Sequence, residues 1–134
     1  MYGDIYMNNL HIYIFIVLIS YASELAYNDC KKKTVVTYTI SLLHNFGSIY
    51  LYYGSLLFGY YKLHLLILLG TLIGWYLNQN RCILTDYYNK LCKIKSKSPF
   101  KDINYRINSS ILKVNNFHLW LAGFALLYDI YHIL

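Results

Sequence analysis

Hydrophobic and polar positions are segregated along this chain into long blocks. Two apolar runs, Val35–Phe58 and Leu63–Leu77, are separated only by Gly59-Tyr60-Tyr61-Lys62. A connection that short between helices of this length predicts an antiparallel hairpin. The runs are too long and too apolar for ordinary soluble helices, which points to a bilayer. Leu63–Leu77 carries seven leucines and two isoleucines, worth roughly −4 kcal/mol on the insertion scale. Leu10–Tyr27 predicts a further span before the hairpin, and Phe117–Leu134 a fourth after it. A cleaved signal peptide is the rival for the first, with Ser20-Tyr21-Ala22 as a cleavage site, but no Lys or Arg precedes the apolar stretch. A first segment lying flat on the membrane is the other alternative.

The polar blocks are Asn28–Lys33, ending in three lysines, and Asn78–Asn116. In the second block Thr85-Asp86 reads as a helix start. Tyr87, Tyr88, Leu91 and Ile94 then share one face, with Lys90, Lys93, Lys95 and Lys97 around the other. Ser98-Pro99 breaks the run. Asp102 is placed to cap a second amphipathic stretch carrying Ile103, Ile107, Ile111 and Val114. Basic amphipathic helices of this kind lie in the headgroup plane, so the lysines are expected to meet anionic lipid. The expected architecture is therefore all-α: one domain over residues 1–134, an integral membrane four-helix bundle with a basic interfacial or cytosolic loop containing short amphipathic helices.

Composition sharpens this picture. The chain is 57% hydrophobic and only 13% charged, against about 25% charged in a typical globular domain. Its bias toward Leu, Ile, Tyr, Asn and Lys is that of an AT-rich genome, which suits a large DNA virus or a protist. The formal charge of +6 is concentrated rather than spread: eleven of the twelve Lys and Arg fall in the connections after spans one and three, leaving Lys62 alone on the other side. The positive-inside rule puts those connections in the cytosol and both termini outside or in a lumen. Basic residues confined to such connections argue against a nucleic-acid partner, which needs a basic face on a folded domain.

Candidate chemistry is sparse. Ser41, Ser48 and Ser55 recur at helical spacing on the second span, and Gly70 and Gly74 form a Gly-x-x-x-Gly pair on the third; these small faces are expected to pack helix against helix. A second copy or another membrane protein could also meet them. Alternating helix directions place His11, His64 and His132 in one layer with Asp129, a set that could hold a metal or haem. His44 and His118 fall in a deeper layer. Cys30, Cys82 and Cys92 all lie on the basic side, where cytosolic thiols stay reduced. No hydrolase, phosphate-loop or paired-carboxylate signature is present.

His44 in one span, His64 opening the next, Trp75 near its end, then Arg81-Cys82-Ile83-Leu84-Thr85 and Phe100 follow one another at distances that resemble a family of small multi-pass bacterial membrane proteins of unknown function. That family shows His, His-Leu, Trp and Cys-Pro-Leu-Thr in this order. The likeness covers about residues 34–107. Ile83 replaces the family's proline, and the first span has no counterpart. The resemblance implies a membrane hairpin and singles out His44, His64, Trp75, Cys82 and Thr85 without giving them a chemistry. The functional expectation is a non-catalytic membrane scaffold or interaction component with no cofactor. The alternatives are a haem- or metal-binding redox protein and a small transporter.

Overall fold

The computed structural model describes residues 2–95 and 97–134, with side chains from Met7 onward. It is all-helical among these residues: α1 (Tyr2–Tyr27), α2 (Val35–Phe58), α3 (Tyr61–Leu77), α4 (Ile83–Cys92), α5 (Ile103–Ile107), a π-helical turn (Asn108–Leu112) and α6 (Phe117–Ile133). α2, α3 and α6 match three of the apolar blocks to within two residues, whereas α1 begins at Tyr2, eight residues before Leu10. Thr34 starts α2 through a reciprocal box with Thr37, in which the Thr34 backbone N–H donates to Thr37 Oγ1 (2.8 Å) and the Thr37 N–H to Thr34 Oγ1 (3.3 Å). Gly59 ends it with φ +69°, a left-handed conformation open to glycine at no steric cost, and donates its N–H to Ser55 O. The turn is then shorter than the sequence suggests, because Tyr61 and Lys62 already belong to α3.

α2 is the central helix and touches α1, α3, α4 and α6. It packs against α1 through Tyr13, Val17 and Ile49. Leu51, Leu68, Trp75, Ala122 and Ala125 join α2, α3 and α6. A third cluster, Cys30, Ile40, Tyr88, Cys92 and Phe100, closes the basic end. α3 leans mainly on α6 rather than on its hairpin partner α2.

Polar side chains are buried among the apolar core clusters, while many large apolar ones face outward. Leu66, Leu77 and Phe124 are 69%, 77% and 66% exposed, whereas Asn45, His64 and Asp129 are at 0%. Ser20, Glu24, Ser41 and Ser55 are buried as well. Of the described helices, only the Met7–Tyr27 part of α1 is both long and apolar enough to cross a membrane on those two criteria, and α3 is a shorter apolar helix. In α2 the residues that dilute the apolar run, among them Ser41, Asn45 and Ser55, point inward.

Three expectations need correction here. Cys30 and Cys92 form a disulfide, tying the α1–α2 connection to the end of α4, so only Cys82 is a free thiol. Gly70 and Gly74 are not a packing face within this chain, since a Cβ built on either meets nothing within 4 Å. The serine stripe does pack, but toward Glu24 and Asp102 instead of those glycines. The basic loop also does not lie wholly at the surface. Asp102 caps α5, accepting from the Tyr105 N–H at 2.8 Å as its position predicts. Yet Phe100, Asp102 and Asn104 are buried, with Asp102 against Ser48 and Asn104 against Tyr53, beyond the midpoint of α2. The loop re-enters the bundle between α1 and α2.

Candidate functional site

Three polar centres occupy the interior, and their hydrogen bonding separates them. The first is built on Glu24, the only glutamate of the chain. Its carboxylate accepts from Tyr88 Oη (2.9 Å), Asn28 Nδ2 (2.6 Å) and Ser41 Oγ. Burial and the neighbouring carboxylate push the Tyr88 hydroxyl well above its ordinary value, so it stays protonated and remains a donor. Beside it Ser20 Oγ donates to Asn45 Oδ1 at 2.5 Å and accepts from the Ile103 N–H at 3.2 Å, which pins the re-entrant loop to α1. This centre links α1, α2, α4 and α5 and leaves its carboxylate fully engaged. The sequence reading missed it, although a lone acid inside an apolar stretch is a standing signal for an interior partner.

The second centre is His64 with Asp129. His64 Nδ1 lies 2.6 Å from Asp129 Oδ2, and Nε2 faces the Tyr50 and Leu51 carbonyls at 3.1 Å each. Carbonyls only accept, so Nε2 carries a proton, and the other nitrogen shares one with the carboxyl group. Both ring nitrogens are thereby occupied, and neither offers a lone pair to a metal or haem. The rest of the predicted histidine layer is not assembled around them. His11 is exposed. His132 is also exposed, stacked on Tyr61 with its Nδ1 on Tyr128 O at 2.9 Å. Asp129 and His132 are three residues apart on α6, and the helix turns one inward and the other outward. Among the described residues no group of three His, Cys, Asp or Glu side chains is gathered closely enough to hold a metal ion.

The third centre is a cavity of about 340 Å³ at the basic end, between the end of α3, the starts of α4 and α6, and the re-entrant loop. Its wall includes His44, Trp75, Cys82 and Thr85, four of the five residues singled out by the family resemblance, together with Phe100 and His118. His64, the fifth, belongs to the second centre. The His44 ring stacks on Phe100 (centroids 3.8 Å apart, 19° between planes). His118 meets the Trp75 ring edge-on and places Nε2 3.2 Å from Asn80 O. Asp102 closes the inner side, its carboxyl pushed up to about 6 by burial and only partly brought back by hydrogen bonds from Tyr105 and Ser48. Two buried polar atoms among the lining residues have no partner, His44 Nδ1 and Asn104 Nδ2. Arg81, which pairs with Asp86 at 2.9 Å, and the exposed Lys97 are also among the lining residues. Lys90, Lys93 and Lys95 are solvated on the same end and take no part in the wall.

Comparison of the chain with protein-family models, with curated proteins and with solved structures finds no match in any of the three.

Proposed function

We propose that this chain is a multi-pass integral membrane protein of four spans that acts without catalysis, as a membrane scaffold or interaction component. The observation that supports this reading is a bundle that buries polar side chains while exposing many large apolar ones. A water-soluble fold does not turn leucines and phenylalanines outward along three helices while burying Glu24, Asn45, His64 and Asp129. In lipid the same arrangement is the favourable one, because polar side chains find partners only inside the bundle. α3 and α6, at 17 residues each, extend about 25 Å, near the lower limit for a span. The re-entrant loop fits the same setting, since non-helical backbone at membrane depth must be enclosed by protein.

The lysine-rich end is proposed to face the cytosol, against anionic headgroups. The Cys30–Cys92 bond pulls the other way, because disulfides persist in oxidising compartments. Eleven charges against one outweigh it, and the bond is shielded: Cys92 is fully buried and Cys30 nearly so. Exchange with small thiols requires access to the sulfurs.

A second reading, a small transporter, is favoured by one observation: the polar stripe of α2 faces the interior and not the apolar exterior. Membranes from cells expressing the full chain, tagged at either end, test the first reading. The protein should stay in the pellet through alkaline carbonate and leave it only with detergent. External protease should remove both terminal tags and spare the loop around Lys95. Release by carbonate alone would sink the membrane assignment, and cleavage at Lys95 with shielded tags would invert the orientation.

A further inference from the structure

We infer that two lysine segments of the basic end, Lys31, Lys32 and Lys33 with Lys90 and Lys93, form one site for a lipid whose headgroup carries several phosphates, and that the Cys30–Cys92 bond fastens its two halves together. The inference rests on the membrane reading and deepens it, since it names the lipid that the lysine-rich end takes.

The disulfide joins the residue before Lys31 to the residue before Lys93, and the Lys31 N–H donates to Cys92 O at 3.1 Å. The Cα atoms of Lys31 and Lys93 are therefore at most about 12 Å apart, within joint reach of ammoniums on flexible four-carbon stems. The joint is packed from within: Cys30 and Cys92 share a buried cluster with Ile40, Tyr88 and Phe100, and Tyr88 is bonded to Glu24. All five lysines are exposed. The acids of this end are engaged elsewhere, Asp29 by Lys101 at 2.5 Å and Asp86 by Arg81 at 2.9 Å. Glu24 is buried and acts on Lys33 only at longer range. Among the described residues no acid lies within ion-pair distance of the five lysines.

Ammoniums held this close repel one another, and a single phosphodiester answers only one of them. A headgroup with further phosphates answers several at once, and basic clusters of this size beside a span suit such lipids. Apolar surface next to both halves favours a lipid over a free phosphate. Val35 and Val36 come just after the lysine triplet, in the first turn of α2, and Ile83 and Tyr87 share a face of α4 with Lys90. All four are exposed. An acyl chain is favoured against these side chains while its phosphates stay with the ammoniums.

Isothermal titration of the full chain in phosphatidylcholine nanodiscs, with the heat of empty nanodiscs subtracted, tests this with dioctanoyl phosphatidylinositol bisphosphate as the probe. Saturable binding is expected. Dioctanoyl phosphatidylserine, which lacks the extra phosphates, and inositol trisphosphate, which lacks the acyl chains, should each bind at least about tenfold more weakly. Lys31→Gln/Lys32→Gln and Lys90→Gln/Lys93→Gln should each cost about tenfold, since each empties one half of the site. Lys62→Gln, at the opposite end of the bundle, should cost nothing. Cys30→Ser/Cys92→Ser keeps every lysine and should still weaken binding severalfold; where that variant does not fold, the two lysine pairs decide alone. Inositol trisphosphate held as tightly as the lipid would overturn the inference by showing a free-phosphate site. Equal affinity for phosphatidylserine, or an equal loss in Lys62→Gln, would overturn it by showing diffuse charge. A loss from one lysine pair alone, or full affinity in a folded Cys30→Ser/Cys92→Ser, would overturn the joining of the two halves. No saturable binding by a chain that still resists alkaline carbonate would sink the lipid site and leave the membrane reading standing, whereas release by carbonate would remove both.

Discussion

His64 and His44 sit on neighbouring helices and both direct ring nitrogens into the protein, but they are held in opposite ways. The His64 ring is buried between a carboxyl group and two backbone carbonyls, so both of its nitrogens are partnered, although the other oxygen of that carboxyl group, Asp129 Oδ1, is not. It fastens α3 to α6 and α2 at one point. His44 has a ring for a neighbour instead of a hydrogen-bond partner, and its Nδ1 remains unpaired beside a cavity. Each residue was equally visible in the sequence as a histidine inside a span. What separates the two rings is satisfaction: both nitrogens of His64 are met by the fold and join three helices, whereas His44 Nδ1 is met by none.

The comparison can be broken at Asp129, where the largest effect is expected. Asp129→Ala strands a buried His64 nitrogen, and disrupting a buried pair in this way costs about 3–5 kcal/mol. Asp129→Asn keeps an acceptor facing the ring and should recover part of the loss. His44→Phe should unfold within a few degrees of the parent. Thermal unfolding of the three purified variants in one detergent checks this. If Asp129→Ala and His44→Phe proved equally mild, the distinction between a fastening histidine and an unpartnered one would fail.

The sequence shows why this difference is hard to foresee. Helix bounds were legible where caps and apolar runs are local, as in α2 with Thr34 before it and Gly59 after it, but α1 begins at Tyr2 rather than Leu10 and α4 at Ile83 rather than after Thr85. Depth was legible as well: His64 and Asp129 were placed in one layer from helix direction alone. Azimuth was not. Asp129 and His132 are one turn apart on α6, and only packing decides that the first turns inward. The Cys30–Cys92 bond spans a sequence separation of 62, and no local pattern encodes such a pairing. The re-entry of Phe100, Asp102 and Asn104 is likewise tertiary. A short Pro-broken, lysine-flanked segment reads as surface, and the decisive partners, Ser48 and Tyr53, lie some fifty residues away.

Asp102 offers a way to sharpen the contrast through pH. Its carboxyl is raised from 3.8 to about 6 by burial, so the folded protein binds this proton more tightly than the unfolded chain does. The stabilisation is complete below about pH 4 and is lost as pH rises through about 6, a swing of about 2–3 kcal/mol. The parent should therefore unfold at a lower temperature at pH 7 than at pH 5, beyond any slope common to its other groups. Asp102→Asn retains an acceptor for the Tyr105 N–H and should flatten that part of the profile. Parallel slopes in the two proteins would show that Asp102 is hydrated in the cavity.

The smallest effect is expected at Gly70 and Gly74, and it bears on the outside of the same bundle. Both positions look onto open space, so alanine there meets no neighbour and gains only helix propensity, below about 1 kcal/mol at each site. Ser41→Leu, by contrast, would bury a bulky side chain against Glu24 and remove one of its donors, which combines overpacking with an unmet carboxylate. A Gly-x-x-x-Gly face with no partner inside the chain is left to lipid or to another helix. Chemical cross-linking of the parent and of Gly70→Leu/Gly74→Leu in native membranes separates these cases. If lipid covers the face, the two patterns coincide and unfolding barely moves. A cross-linked dimer present in the parent and lost in the double variant would instead assign the face to a second copy, and the outer surface of α3 would then count among the protein's working contacts.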